Sequence, residues 1–258
     1  RHPDLLLHDD WVKLWISDGA GGYRDASSLL PATRFPVSSA RSMISGDVDG
    51  DGDVDLVKSS DPPHPNQLEI LRNDGAAGFS QHTFRMPVWS VIVKPVALAD
   101  LDSDGDPDLL VNPWVESNGV LLNDGRGAFT TMVPGDIPGD LAVCVDYDGD
   151  GDLDAVTTLN PWPGDVAEFR VLVNDGRGGL RARTLVRATP TITLDGFWLA
   201  DVDCDGDLDL GGARGPDGPS YFENDGAWNF TLAPGVRSDG IAVRGRVADL
   251  DGDADPDF

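Results

Sequence analysis

The sequence predicts an all-β chain built from a repeated four-stranded unit, on the strength of three observations. Five Asp-rich loops recur in one register, and a Gly-rich turn motif recurs in step with them. Between the two lie short runs of β-type residues, with no convincing 3.6-residue period anywhere.

The loops come first. In "GDVDGDGDVDLV" (46–57) Asp47, Asp49, Asp51, Asp53 and Asp55 occupy alternate positions. Like charges at that density repel, and Asp and Gly are depleted from sheets, so this stretch calls for a loop gathered around a cation. The spacing returns as Asp100, Asp102, Asp104, Asp106 and Asp108, and then as Asp146, Asp148, Asp150, Asp152 and Asp154. It returns again as Asp201, Asp203, Asp205, Asp207 and Asp209, and finally as Asp249, Asp251, Asp253, Asp255 and Asp257. Five aspartates in each of five loops account for 25 of the 45 acidic residues, leaving 20 against 19 Lys and Arg. The formal charge of −26 therefore belongs to the loops.

Hard oxygen donors on a flexible loop suit calcium, which takes six to eight oxygens. The expected ligands are the carboxylates at positions one, three, five and nine with the carbonyl of position seven, for about five Ca2+ in all. Magnesium keeps its waters, and zinc prefers His and Cys. Position six is Gly52, Gly105, Gly151 and Gly206, where a turn of positive φ costs glycine little. Ala254 stands there in the last loop, which makes it the weakest site. An EF-hand would need Glu at position twelve, where Lys58 and Val111 stand.

The second motif reads "SDGAGGY" (17–23), "NDGAAGF" (73–79), "NDGRGAF" (123–129), "NDGRGGL" (174–180) and "NDGAWNF" (224–230). Asn-Asp-Gly between apolar runs signals a hairpin. Loop starts at 47, 100, 146, 201 and 249 set a period near 50, the length of a propeller blade. One unit reads as strand A over 95–100, running innermost and buried on both faces, strand B over 107–112, C over 119–124 and D over 127–133. The predicted units are 1–40 plus 241–258, 41–94, 95–140, 141–195 and 196–240 of a single domain, 1–258.

Asp-x-Asp-x-Asp-Gly-x-x-Asp loops followed by Asn-Asp-Gly-x-Gly-x-Phe hairpins resemble the FG-GAP/VCBS repeat family, related to the integrin α-subunit propeller. The resemblance implies a β-propeller whose aspartate loops bind calcium. That family's usual ring has about seven blades, and this sequence departs from it with five units. Because "HPDLLL" (2–7) aligns with "DPDLLV" (106–111), the expectation is a five-bladed ring closed by a blade shared between the termini, with "RVADLD" (246–251) pairing beside "PDLLL" (3–7). The alternative is part of a larger, seven-bladed propeller.

Composition bounds the rest. At 40% hydrophobic the 258-residue chain can bury a core, and its acidity argues against nucleic acid, whose phosphates need Lys and Arg. No apolar run approaches the ~18 residues of a membrane helix, and no signal-peptide pattern opens the sequence. Cys144 and Cys204 are expected as two thiols rather than a bridge, since one sits in a strand A and the other at position four of a loop. His2, His8, His64 and His82 share no spacing, and no catalytic motif is present, so the expectation is not an enzyme.

Loops A–B and C–D leave one face of a propeller, and B–C and D–A loops the other. Variation gathers in the B–C loops (8–11, 60–66, 112–118, 160–165, 214–220) and the D–A loops (33–41, 86–90, 134–140, 191–198, 234–240), where a rigid scaffold usually carries function. Asn112 and Trp114, Asn160 and Trp162, and Trp11 are candidate ligand contacts, an indole beside polar groups being a platform for a sugar or peptide. Packing between blades is the competing reading for Trp114 and Trp162, as it is for Trp89 and Trp198.

The expected function is a calcium-stabilised extracellular or cell-surface binding or adhesion module, with the periplasm as an alternative location. It would recognise carbohydrate or protein on the face opposite the calcium loops, without membrane insertion, alone or as part of a larger secreted or surface protein. The alternatives are a passive spacer and an accessory or catalytic domain of a polysaccharide-acting enzyme, for which Arg41, Arg237 and Asp239 are the only hints.

Overall fold

The computed structural model describes residues 5–8, 12–18, 20, 22–31, 43–60, 67–75, 78–85, 93–113, 119–129, 131–134, 136, 139, 142–159, 168–187, 193–215 and 218–233. Among them every regular element is a strand, apart from a 3-10 turn at Ser27–Leu29. The chain forms two compact units, Arg1–Gly135 with Gly176–Gly179, and Asp136–Asp175 with Leu180–Phe258.

The first unit carries three antiparallel sheets. A three-stranded one runs β1 (Leu5–His8), β2 (Val12–Ser17) and β3 (Tyr23–Asp25). The next runs β4 (Met43–Gly46), β5 (Asp55–Ser59), β6 (Gln67–Asn73) and β7 (Phe79–Arg85), and the third β8 (Val93–Ala99), β9 (Asp108–Pro113), β10 (Gly119–Leu122) and β11 (Thr131–Pro134). The second unit carries β12 (Ala142–Val145), β13 (Asp154–Leu159), β14 (Glu168–Val173) and β15 (Arg181–Arg187), then β16 (Thr193–Ala200), β17 (Asp209–Gly215), β18 (Gly218–Asn224) and β19 (Phe230–Leu232). Each sheet is a meander in which chain neighbours pair, as short turns require. Among the described residues each Asp loop spans the first two strands of its sheet, and each Asn-Asp-Gly turn the last two.

Strand alternation buries both faces of a sheet. In β6, Leu68 and Ile70 join Val48, Val57, Val93, Leu109, Val111, Leu121 and Phe129 on one side. Leu71 joins Leu56 and Leu30 on the other, with Leu14, Met43 and Phe79 packed against them. The second unit has its own core of Tyr147, Val156, Phe169, Val171, Leu210 and Phe222, where Phe169 and Phe222 meet edge to face at 5.6 Å.

Two expectations need correction. Strand A is not the most buried: β12 is half-buried throughout, whereas every residue of β5, a strand B, is buried. A B strand has a partner on each edge and sheets on both faces, while an A strand ends its sheet. Even Lys58 in β5 is 1% exposed, with Nζ 2.9 Å from Glu69 Oε2. Strand D of the third sheet starts at Thr131 rather than 127, because Asp124 Oδ1 accepts the Arg126 and Ala128 N–H groups and holds the turn open to that point.

No disulfide joins Cys144 and Cys204. Cys144 lies in β12, where burial pushes its thiol up to about 12, and Cys204 is exposed. Trp198 is half-buried within its own sheet: it lies across Gly211 of β17, where a Cβ would collide with the indole ring, and is tilted against Tyr221 of β18 at 6.5 Å.

Candidate cation-binding loops

The Asp loops fold by satisfying backbone N–H groups with their own carboxylates. Position one closes the loop: Asp47 accepts Gly50 and Asp51 N–H at Oδ1 and Gly52 N–H at Oδ2. Asp100, Asp146 and Asp201 each hold the position-six glycine in the same way. At position five the exposed Asp51, Asp104, Asp150 and Asp205 each accept the N–H two residues on. Position four also adopts positive φ, which was not anticipated. Gly50 and Gly149 do so freely, but Ser103 (φ 62) and Cys204 (φ 61) carry side chains in the left-handed region. The signal lay in two glycines of four loops, diluted by the serine and cysteine.

Position nine belongs to the fold as much as to the loop. Asp55 is fully buried, taking Val48 N–H at Oδ2 (2.9 Å) and Asn73 N–H at Oδ1 (2.7 Å). Asp108 does the same with Leu101 and Asn123, Asp154 with Tyr147 and Asn174, and Asp209 with Val202 and Asn224. The Asn side chain returns the bond to the position-eight carbonyl, at Val54, Pro107, Leu153 and Leu208. The two sequence motifs are thus one hydrogen-bonded device. Position seven adds steric contact. The Asp53 and Asp106 carboxylates lie where a Cβ on Gly75 or Gly125 would be, which with positive φ explains the turn glycine.

Four carboxylate clusters result among the described residues: Asp47, Asp49 and Asp55; Asp100, Asp102 and Asp108; Asp146, Asp148 and Asp154; Asp201, Asp203 and Asp209. Within each, one ligand oxygen per residue lies within 4.8 Å of the others. Positions one, three and nine converge. Positions five (Asp51, Asp104, Asp150, Asp205) and seven (Asp53, Asp106, Asp152, Asp207) stand outside these triads. The fifth loop, Asp249, Asp251, Asp253, Asp255 and Asp257 with Ala254, lies outside the described residues, as does the expected closing strand over 246–251.

The electrostatics are those of crowded, partly buried carboxylates. Burial, then the neighbouring Asp102 and Asp104 charges, push the Asp108 carboxyl up to about 6, against the pull of the Asn123 and Leu101 amides. Asp55 and Asp154 are raised by burial first as well, and Asp102 by burial and then Asp104. Hairpin aspartates show the reverse: N–H bonds from Ala20 and Gly22 lower Asp18, and those from Ala128 and Arg126 lower Asp124. The fit to a cation is tested by three orphaned loop oxygens among the described residues. Asp49 Oδ1 and Asp102 Oδ1 at position three, and Asp207 Oδ1 at position seven, are buried without a hydrogen-bond partner. An all-oxygen set with an unsatisfied buried anion fits a hard cation. One protein cation also approaches, Arg72 Nε standing 3.8 Å from Asp49 Oδ2.

Of the ligand candidates, Asn112 lies half-buried in β9, while Trp11, Trp114, Asn160 and Trp162 lie outside the described residues. So do Trp89, Arg41, Arg237, Asp239, His2 and His64. His82 is exposed in β7 with Nε2 3.3 Å from Ser80 Oγ.

Repeated antiparallel sheets, the four four-stranded ones each joined by an acidic loop and an Asx-capped hairpin, define a class of β-repeat protein. A model of the FG-GAP-like repeat, a propeller-forming repeat, matches residues 47–111 and again 100–157, so this part of the chain is similar to that family. No curated protein matches it. A solved structure titled "Crystal structure of BBS1N in complex with ARL6DN, soaked with mercury" is similar at 14% identity and a TM-score of 0.35, over 75% of this chain and 56% of that one. This chain thus spans just over half the length of that structure, and the likeness carries no argument about function. No helix among the described residues is long and apolar enough to cross a membrane.

Proposed function

We propose that this protein is a calcium-stabilised binding module, each Asp loop taking one Ca2+ and the opposite loop end receiving a carbohydrate or an extracellular protein. One observation supports it most directly: buried position-three oxygens, Asp49 Oδ1 and Asp102 Oδ1, that no donor satisfies, set among other carboxylates. A buried carboxylate oxygen left without a donor costs about 1–3 kcal/mol, and a divalent cation would remove that cost. Positions one, three and nine would hold the ion, with position five and the position-seven carbonyl completing the set. The ion supplies structural charge neutralisation, and the proposal assigns no catalytic step. Millimolar calcium outside the cell suits such sites, so the proposed location is extracellular or at the cell surface.

The test is an ion count by mass spectrometry with thermal melts in chelator, calcium and magnesium. With free calcium ~10-fold above each dissociation constant, every site adds roughly 1.4 kcal/mol, and four add about 6. Four or five bound Ca2+ with a sharp loss of melting temperature on chelation is expected. At most one bound ion, or a melt indifferent to chelator, refutes it. Glycan and extracellular-protein arrays probed with the calcium-loaded protein then test the ligand, and binding to neither class leaves a structural spacer as the better reading.

A further inference from the structure

Two neighbouring Asp loops are connected by hydrogen bonds that run through buried groups. In the loop of 47–55, Asp55 Oδ2 accepts Val48 N–H at 2.9 Å. The carbonyl of the same Val48 accepts from Asn123 Nδ2 at 2.8 Å, across 75 residues of chain. Asn123 belongs to the next sheet, where its own N–H donates to Asp108 Oδ1 at 2.9 Å and its amide also reaches the Pro107 carbonyl at 3.0 Å. Asp55 and Asp108 are each 0% exposed and Asn123 is 6% exposed, so water does not compete along this path. The position-nine carboxylates of two clusters are therefore joined through one residue and one side-chain amide.

We infer that Asn123 couples the loops of 47–55 and 100–108, so that a cation in one strengthens binding in the other. The inference rests on the cation reading above and goes beyond it. A cation drawn onto Asp47, Asp49 and Asp55 fixes the Val48 peptide, and a fixed Val48 carbonyl holds Asn123 in the position from which it orients Asp108. The second loop then has less ordering entropy to lose. Asn73, the corresponding residue of the earlier sheet, donates its side-chain amide to Val54 within its own sheet and provides the control.

The experiment follows the amide signals of Gly52 and Gly105 by NMR in glycine-labelled full chain titrated with calcium alone. Each of these N–H groups is bonded to its own loop's position-one carboxylate, so each reports its own loop. In the native background Asp49→Ala should raise the calcium concentration that half-saturates the Gly105 signal by about threefold to tenfold, the range of one buried hydrogen bond. In an Asn123→Ala background the same substitution should leave the Gly105 midpoint unmoved, while in an Asn73→Ala background the shift should persist. Equal shifts with and without Asn123, or no shift in the native background while both glycines still saturate, overturn the coupling and leave the cation reading intact. No saturable change at either glycine overturns the cation reading and the coupling with it. Asn123→Ser serves if the alanine variant fails to fold, with the same expected and overturning outcomes.

Discussion

Asp108→Ala separates the two roles of position nine, because it can be examined with no cation present. The native carboxylate is fully buried and takes the Leu101 N–H at 3.0 Å and the Asn123 N–H at 2.9 Å. Truncation leaves two buried donors unpaired, at about 1–3 kcal/mol each. Relief of the charge that burial already disfavours returns part of this. The net expectation is a loss of about 2–4 kcal/mol, a large fraction of the ~5–15 kcal/mol stability of a typical domain. Urea unfolding in excess chelator, followed by far-UV circular dichroism, is the assay, since urea leaves electrostatics unscreened. Asp104→Ala is the comparison: its exposed carboxylate accepts the Asp106 N–H, and about 0.5 kcal/mol is expected. If the two variants unfold at the same midpoint in chelator, position nine is a ligand alone and the reasoning about the bracket is wrong.

The pH dependence of the metal-free protein follows from the same carboxylate. A carboxyl raised in the folded state from 3.8 to about 6 favours folding below pH 3.8 and loses that contribution as pH rises through about 6. Chelated protein should therefore lose stability, by on the order of 3 kcal/mol for this group, between about pH 4 and pH 6.5. Urea midpoints across that range should fall less steeply in Asp108→Asn, and an unchanged slope would count against the assignment. Ser103→Gly and Cys204→Gly should each be neutral to stabilising by up to about 1 kcal/mol, since relief of positive φ exceeds the entropy that glycine adds to the unfolded chain. Thermal melts decide it, and a clear loss would mean the side chains contribute more than the strain costs. Arg72→Gln removes a positive charge 3.8 Å from Asp49 Oδ2 and should tighten calcium at the loop of 47–55 severalfold, read at the Gly52 amide. A weaker or unchanged midpoint would show that Arg72 supports the loop instead of competing for it.

Local chemistry made much of this protein legible. Asp and Gly are depleted from strands and like charges at that density repel, so the loops and their period could be read from spacing alone. Asn-Asp-Gly names its own turn, because the residues that tolerate positive φ are few. Other features were beyond local reading. That β5 is buried more completely than β4 depends on which strands have sheets on both faces. That Asp55 and Asp108 hold a turn in addition to joining a carboxylate cluster depends on partners 18 and 15 residues away along the chain. Asn123 reaching Val48 depends on two sheets becoming neighbours, and no pattern within either repeat encodes it. Spacing records what a residue does to its own loop. Hydrogen-bond partners across sheets, and the burial that makes them strong, exist only once the sheets have packed.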